Sequence, residues 1–503
     1  MAILQASPNF VKIIVCCDGT GSSGVEENDH DKTNVWRIRQ GIKDIDSNGN
    51  QQRAWYFPGI GTDRKSSSPL QIRDRWDQAF GTGLDEKIRE AYKFICYNYK
   101  SRRDQIMLIG YSRGAFTVRC LADLITNVGL LTDQGFHRFA EVYDLWKKKS
   151  EKALCGLCDE LAKLYYIHRN VRIQVCGVWD TVASIGAPLP SILGILPPSP
   201  NFIHSDLNPK IVKAFQGLAI HEHRHNFRPI VWKCVNDELK SSSLEQCWFA
   251  GYHADVGGGR KDEALAHISL AWMIHKLDKA GVEFKDTIFQ HPPSYRGWTL
   301  GNPEPQDEDL TRQGGDPSCE DEDSTHQRRA SAHRIRDSMT RRFWFHGSWI
   351  RKPRIQFWTP NKHLEMVNPP EDAVSNEGIH PSVEFFRDMR GLSLGGITRD
   401  RPASPDRNLN SEYVWSFPFA GRILPGNDTM YREHNGSTTY SVKEARLSPF
   451  EMSLLANWAR KDLSGYGRTS LAEPGAPRPG TLLPMILGWL QRQELSIVAD
   501  IAL

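Results

Sequence analysis

Gly110-Tyr111-Ser112-Arg113-Gly114 fits G-x-S-x-G, the spacing that sets a serine on a tight turn from strand to helix. Small residues two before and two after let the turn close, and the turn lifts the Ser112 hydroxyl clear of the sheet. A serine hydroxyl is a weak nucleophile by itself. It needs a base to take its proton and a carboxylate to orient that base. After such a turn the partners follow in the order acid, then histidine, each on a loop behind a later strand. Asp180 ends the run Cys176-Gly177-Val178-Trp179-Asp180, and His253 follows Phe249-Ala250-Gly251-Tyr252. Asp255, just before Gly257-Gly258-Gly259, is the alternative acid and would serve a Ser–Asp dyad without His253. Developing negative charge on an ester oxygen needs two backbone donors. One is expected from Arg113, directly after the nucleophile, the other from Gly19 or Thr20 in the turn Asp18-Gly19-Thr20-Gly21.

These residues need a scaffold that brings loops far apart in sequence to one edge. Val11 to Cys17 (VKIIVCC) is a mostly apolar run, as in a parallel strand buried on both faces. Further strands are expected at Arg53 to Phe57, Gln105 to Gly110, Val171 to Val178, Pro229 to Val235 and Gln246 to Gly251. Between them, Thr33 to Ile45, Leu84 to Tyr99, Gly114 to Ile125 and Ala264 to Leu277 carry apolar residues at helical spacing. Strands alternating with helices imply right-handed crossovers and a mostly parallel sheet with helices on both faces, an α/β fold of the α/β-hydrolase type. In such a sheet Ser112, Asp180 and His253 all emerge at the carboxyl edge.

Composition narrows the function classes. The 503 residues carry 63 Lys+Arg against 60 Asp+Glu, a net charge of +3 that argues against a nucleic-acid partner. Fifteen Trp, 14 Tyr and 21 Phe are enough to bury a large core. The stretches Leu189 to Ile203 and Thr481 to Leu490 are too interrupted or too short to span a membrane. Met1 to Phe10 lacks the basic and apolar regions of a signal peptide. Ten Cys among these residues are few for a disulfide scaffold, so reduced thiols and an intracellular, cytoplasmic setting are expected.

Seven motifs together resemble one family. They are Cys17-Asp18-Gly19-Thr20, Lys32-Thr33-Asn34-Val35, Phe57-Pro58-Gly59-Ile60-Gly61-Thr62, Gly81-Thr82-Gly83-Leu84-Asp85, Gly110 to Gly114, Val178-Trp179-Asp180-Thr181-Val182 and His253 to Gly259. In this order they resemble the α/β-hydrolase family typified by the catalytic domain of bacterial type VI secretion phospholipase effectors, which has many fungal members. Glu222, Arg224, Phe227 and Pro229, and later His380-Pro381-Ser382-Val383, resemble further family segments. The sequence departs from the commoner pattern at Gly21-Ser22 and at Arg336. The resemblance implies hydrolysis of carboxylic esters, of phospholipids or other acylated lipids, with Ser112, Asp180 and His253 as the triad. It implies no cofactor and no metal. Its partners would be a small-molecule or lipid ester and a peripheral membrane surface.

Other readings stay open at this stage. An acyltransferase would use an alcohol in place of water, and a non-enzymatic binding or signalling module would keep the fold without the reaction. The alternating histidines of His221-Glu222-His223-Arg224-His225 and the pair in Cys155-Gly156-Leu157-Cys158 lack the second group of ligands that a metal site needs. Ala183 to His204, apolar and rich in Pro, reads either as a packed loop over the sheet edge or as a lid or acyl-chain wall beside the site. Domains are expected as a catalytic core at 1–295, a charged linking loop at 296–340 and a C-terminal region at 341–503 that packs on the core. The basic stretch Arg328 to Arg354 reads as a solvated face or a lipid-headgroup contact. Gly391 to Leu503 carries no recognisable motif.

Overall fold

A computed structural model describes residues 10–19, 32–59, 69–182, 206–224, 227–234, 243–260, 264–290, 351, 376–383, 398–400, 414–419, 432–434, 437–443, 445, 447, 448, 450, 451 and 453–455. The apolar run near the N-terminus forms β1 (Val11–Cys17). It is followed by β2 (Gln51–Phe57), β3 (Gln105–Tyr111), β4 (Ile173–Trp179), β5 (Ile211–Ala219), β6 (Leu244–Phe249) and β7 (Glu377–Ile379). These build one seven-stranded sheet in the order β2-β1-β3-β4-β5-β6-β7. Every neighbouring pair is parallel.

Side chains alternate between two faces, and both faces are covered. On β1, Ile13, Val15 and Cys17 face one core with Ile106, Leu108, Cys176 and Val178. Helices α2 (Pro69–Asn98), α3 (Arg113–Val128), α4 (Phe139–Lys147) and α5 (Glu151–Lys163) cover this side. Ile14, Cys16, Met107, Ile109 and Val175 face the other core. There α1 (Asn34–Gly41), α7 (Ala264–Lys279) and α8 (Asp286–Gln290) close the layer. The double burial explains why these strands read as continuous apolar runs rather than alternating ones. Among the described helices none is long and apolar enough to cross a membrane.

From β1 the chain steps outward to β2 and returns on the other side to β3. The carboxyl ends of β1 and β3 therefore form the point where the winding direction reverses, the usual place for a binding crevice in an open parallel sheet.

One expectation is corrected. The segment Pro229 to Val235, read as a strand, is not one over its described part, and Ile211–Ala219 takes the place in the sheet. Lys213 and Gln216 break the apolar run of β5, so neither a continuous nor an alternating pattern marks it. The 229–234 segment is mostly buried and makes isolated backbone bridges rather than a strand ladder, Ile230 N–H to Thr181 C=O at 2.9 Å and Leu207 N–H to Lys233 C=O at 2.8 Å, joined by side-chain amides. Gln246 accepts from Trp232 N–H at 2.8 Å and donates to Trp232 C=O at 2.9 Å, while Gln216 donates to Ile230 C=O at 3.1 Å.

β7 pairs with β6 from far down the chain, and Leu454 and Leu455 are buried in the same core. Residues 398–400, 414–419, 432–434 and 437–443 form a separate four-stranded antiparallel sheet.

Candidate active site

Gly110 ends on the head of α3: a Cβ there would stand 2.7 Å from Ala115 Cα. Gly114 is pressed against the end of β1, where a Cβ would meet Cys17 O at 2.2 Å. The turn between them holds Ser112 at φ 56°, ψ −120°, a backbone region that L side chains rarely enter. Ser112 N–H donates to Trp179 C=O at 2.9 Å, which ties the serine turn to the end of β4. Asp180 follows immediately, itself at φ 41° and fully buried.

The three residues meet. His253 Nε2 lies 2.8 Å from Ser112 Oγ, and His253 Nδ1 lies 2.5 Å from Asp180 Oδ2. A carboxylate can only accept, so Nδ1 carries the proton and Nε2 is left to accept from the serine hydroxyl. Burial pushes the His253 imidazole below its ordinary range, against the opposing pull of Asp180. Burial would push the Asp180 carboxyl up. The Arg351 guanidinium and the His253 hydrogen bond outweigh it and hold the group well below the usual carboxylate range.

His253 opens the short helix α6 (His253–Gly257). Tyr111 O–H donates to its carbonyl at 3.2 Å, and Glu222 accepts from its N–H at 3.3 Å. The ring sits between Tyr111 and Phe227, each with its ring centre 4.9 Å away. Gly257 leaves room for Tyr111; a Cβ there would fall 1.9 Å from that ring. Glu222 forms a two-pronged pair with Arg224 at 2.9 and 2.7 Å, and its carboxyl is held down at about 2 by that pair despite burial.

Asp255, the alternative acid, turns elsewhere: its Oδ2 accepts from Tyr252 N–H at 2.8 Å and caps α6. Gly19 lies beside the serine, where a Cβ would stand 3.2 Å from Ser112 Cβ. Its N–H, however, donates to Asp18 Oδ1 at 2.6 Å. Thr20, the other oxyanion candidate, lies outside the described residues, as does the lid segment Ala183 to His204. Arg113 is the first residue of α3, a 16-residue helix whose amino end favours negative charge.

Several residues of the motifs act as braces. Asp18 Oδ2 accepts from Thr33 Oγ1 at 2.5 Å and from Tyr56 O–H at 2.7 Å. Burial raises its carboxyl to about 6 in spite of these bonds. Asn34 donates to Val256 C=O at 3.0 Å and to Ala266 C=O at 2.9 Å, joining α1 to α6 and α7. His221 Nδ1 accepts from Gly251 N–H at 2.8 Å, so this histidine serves a turn. Among the described residues no group of three metal-ligating side chains occurs.

Sequence reasoning missed Arg351. It is buried, with Nη1 on Asp180 Oδ1 at 2.5 Å and Nη2 on Asp180 Oδ2 at 3.0 Å. It comes from the basic stretch read as a solvated face or lipid contact, and for this residue that reading is overturned. Neighbouring arginines masked it, and nothing in local pattern marks one of them as buried.

A parallel sheet with a serine turn at its reversal point and a later-strand acid and histidine beside it is an α/β-hydrolase-like protein. The chain belongs to the family described as "T6SS, Phospholipase effector Tle1-like, catalytic domain", whose model matches residues 11–276. A relative in Saccharomyces cerevisiae, the uncharacterized protein YEL023C, is 30% identical over 190 residues, 35% of this chain and 27% of that protein. A solved Tle1 effector bound to the VgrG spike of the type 6 secretion system is 20% identical, with 50% of this chain and 51% of that chain covered and a TM-score of 0.29. An uncharacterized protein from Pseudomonas aeruginosa is 16% identical, with 56% and 47% covered and a TM-score of 0.32. The chain thus spans about a quarter of the length of the yeast relative and about half of the two solved chains.

Proposed function

We propose that this chain is a serine hydrolase of lipid acyl esters, phospholipids among them, working through Ser112, His253 and Asp180. The observation that carries the reading is the unbroken chain of contacts from Ser112 Oγ to His253 at 2.8 Å and on to Asp180 at 2.5 Å, set on a strained turn. Membership in a family described by phospholipase effectors supports the substrate class.

In this reading Ser112 Oγ attacks the ester carbonyl as His253 Nε2 takes its proton. The carbonyl oxygen gains the negative charge, which the N–H of Arg113 and a donor from the Gly19–Thr20 turn receive. With Gly19 N–H held by Asp18, Thr20 is our choice for that donor. The tetrahedral intermediate collapses, His253 returns the proton to the departing alcohol oxygen, and the acyl group stays on Ser112. Water then attacks the acyl carbon, gives a proton to His253, and the same steps in reverse release the carboxylic acid. Asp180 keeps its charge throughout and stabilises the imidazolium. No metal or cofactor enters this sequence. We read residues 1–295 as the catalytic core and 341–503 as a region packed on it; the pairing of β7 with β6 and the contact of Arg351 with Asp180 support that packing.

The test is fatty-acid release from phosphatidylcholine vesicles, alongside p-nitrophenyl butyrate and palmitate, by wild type and Ser112→Ala. The expected result is turnover of the long-chain esters and a loss of about 10³-fold or more in the variant. Undiminished release by Ser112→Ala, or none by wild type on any ester, contradicts the reading.

A further inference from the structure

We propose that Arg351, supplied from beyond the family-matched residues 11–276, is a positioning residue of the triad, clamping the Asp180 carboxylate in register with His253. The inference rests on the Ser112–His253–Asp180 reading above.

The geometry argues it in three parts. First, the guanidinium grips both oxygens of Asp180, so the carboxylate cannot rotate away from His253 without breaking a charge-assisted pair. Second, the same group ties together the backbone that surrounds the acid. Nη1 donates to Ala219 C=O at 2.7 Å at the end of β5, and Nη2 donates to Phe227 C=O, whose ring flanks His253. Third, the Arg351 and Asp180 side chains are 1% and 0% exposed, so water does not screen the pair. An orienting acid needs only the histidine and one or two neutral donors; here Ala219 N–H, 3.2 Å from Asp180 Oδ1, already supplies one. A second full charge does more: it neutralises Asp180 as seen from His253.

That sets a sign. A cation beside the Asp180–His253 pair disfavours the imidazolium. Replacing Arg351 by a neutral residue lets His253 hold its proton to higher pH, so the acid limb of reactivity moves upward. Among the described residues, the other charged groups acting on the ring are Glu222 and Arg224, paired with each other. Buried Tyr111 is held un-ionised. All of these are common to wild type and variant, so the difference between profiles isolates Arg351.

The experiment is the rate of fluorophosphonate labelling of Ser112 against pH, on the full chain. It compares wild type, Arg351→Gln, Asp180→Asn and the double variant. Arg351→Gln is expected to label about 10²-fold more slowly, since misplacing one catalytic group costs about that much. Its acid limb is expected about one pH unit higher, and the change should add nothing in the Asp180→Asn background. An acid limb that coincides with wild type, whatever the rate, overturns the proposal and leaves Arg351 a packing residue. Where Arg351→Gln alone does not fold, the double variant decides. Equality with Asp180→Asn supports the clamp, and a further tenfold loss overturns it. Wild type that does not label at Ser112 at any pH removes the serine mechanism and the proposal together, an outcome distinct from the others.

Discussion

Gly114, on the first turn of α3, lies against Cys17 at the end of β1 so closely that a methyl group on it would stand 2.2 Å from the Cys17 carbonyl oxygen. This contact joins the serine turn to the strand whose loop carries Gly19. It explains the small residue two after Ser112 as a steric need of the β1–α3 junction. Gly114→Ala must push α3 off β1, at a cost of about 2 kcal/mol or more. Gly156→Ala, in open space on the outer face of α5, is the matched control and should gain about 0.5–1 kcal/mol. Urea unfolding of the two variants checks both signs, and equal midpoints would contradict the steric account.

Ser112 sits at φ 56°, where glycine is at ease and other residues are strained. Ser112→Gly and Ser112→Ala both lose the hydroxyl, but only glycine relaxes the turn. The glycine variant is expected to be about 1 kcal/mol more stable than the alanine variant, after the entropy cost of glycine is allowed for. Thermal unfolding of the pair reads this directly; a less stable glycine variant would show that the turn stores no strain.

Asp18 has its carboxyl raised to about 6 by burial, from an ordinary 3.8, with its hydrogen bonds opposing the rise. Folding therefore favours the protonated form. The benefit is fully present below the unfolded value of 3.8 and is lost as pH rises through about 6. Asp18→Asn removes that dependence. Relative to wild type, the variant should gain on the order of 3 kcal/mol between about pH 4 and about pH 8. Urea unfolding at those two pH values gives the difference, and a difference that does not grow with pH contradicts the assignment.

Asn34 is fully buried, and its amide serves the carbonyls of Val256 and Ala266 and the Ser269 hydroxyl. Asn34→Asp keeps the shape but turns an oxygen toward those carbonyls, so it is expected to cost more than Asn34→Ala, itself about 2 kcal/mol. Both should slow labelling of Ser112, because the same bonds hold α6 and its His253. Denaturation midpoints and labelling rates measured together check it; an unchanged labelling rate would detach Asn34 from the site.

The parts of the fold legible in sequence are those where local pattern and tertiary role coincide. β1 reads correctly because both its faces are buried. Asp180 and His253 read as site candidates because each follows a strand directly. β5 does not read, since Lys213 and Gln216 break its apolar run, and 229–234 imitates a strand because it is buried beside one. Arg351 is illegible for a different reason. Its partner is 171 positions away, and a buried arginine looks like its solvated neighbours until the fold brings the carboxylate to it. Gly19 shows the limit of motif reading as well: its position beside Ser112 is as expected, but its N–H is spent on Asp18.

The most direct test of the serine mechanism is mass spectrometry of the intact chain and its peptides after fluorophosphonate treatment, for wild type, Ser112→Ala and His253→Ala. The account predicts a single adduct on the peptide containing Ser112 in wild type, and none in either variant. An adduct that survives in His253→Ala, or wild type that takes up no label, contradicts it.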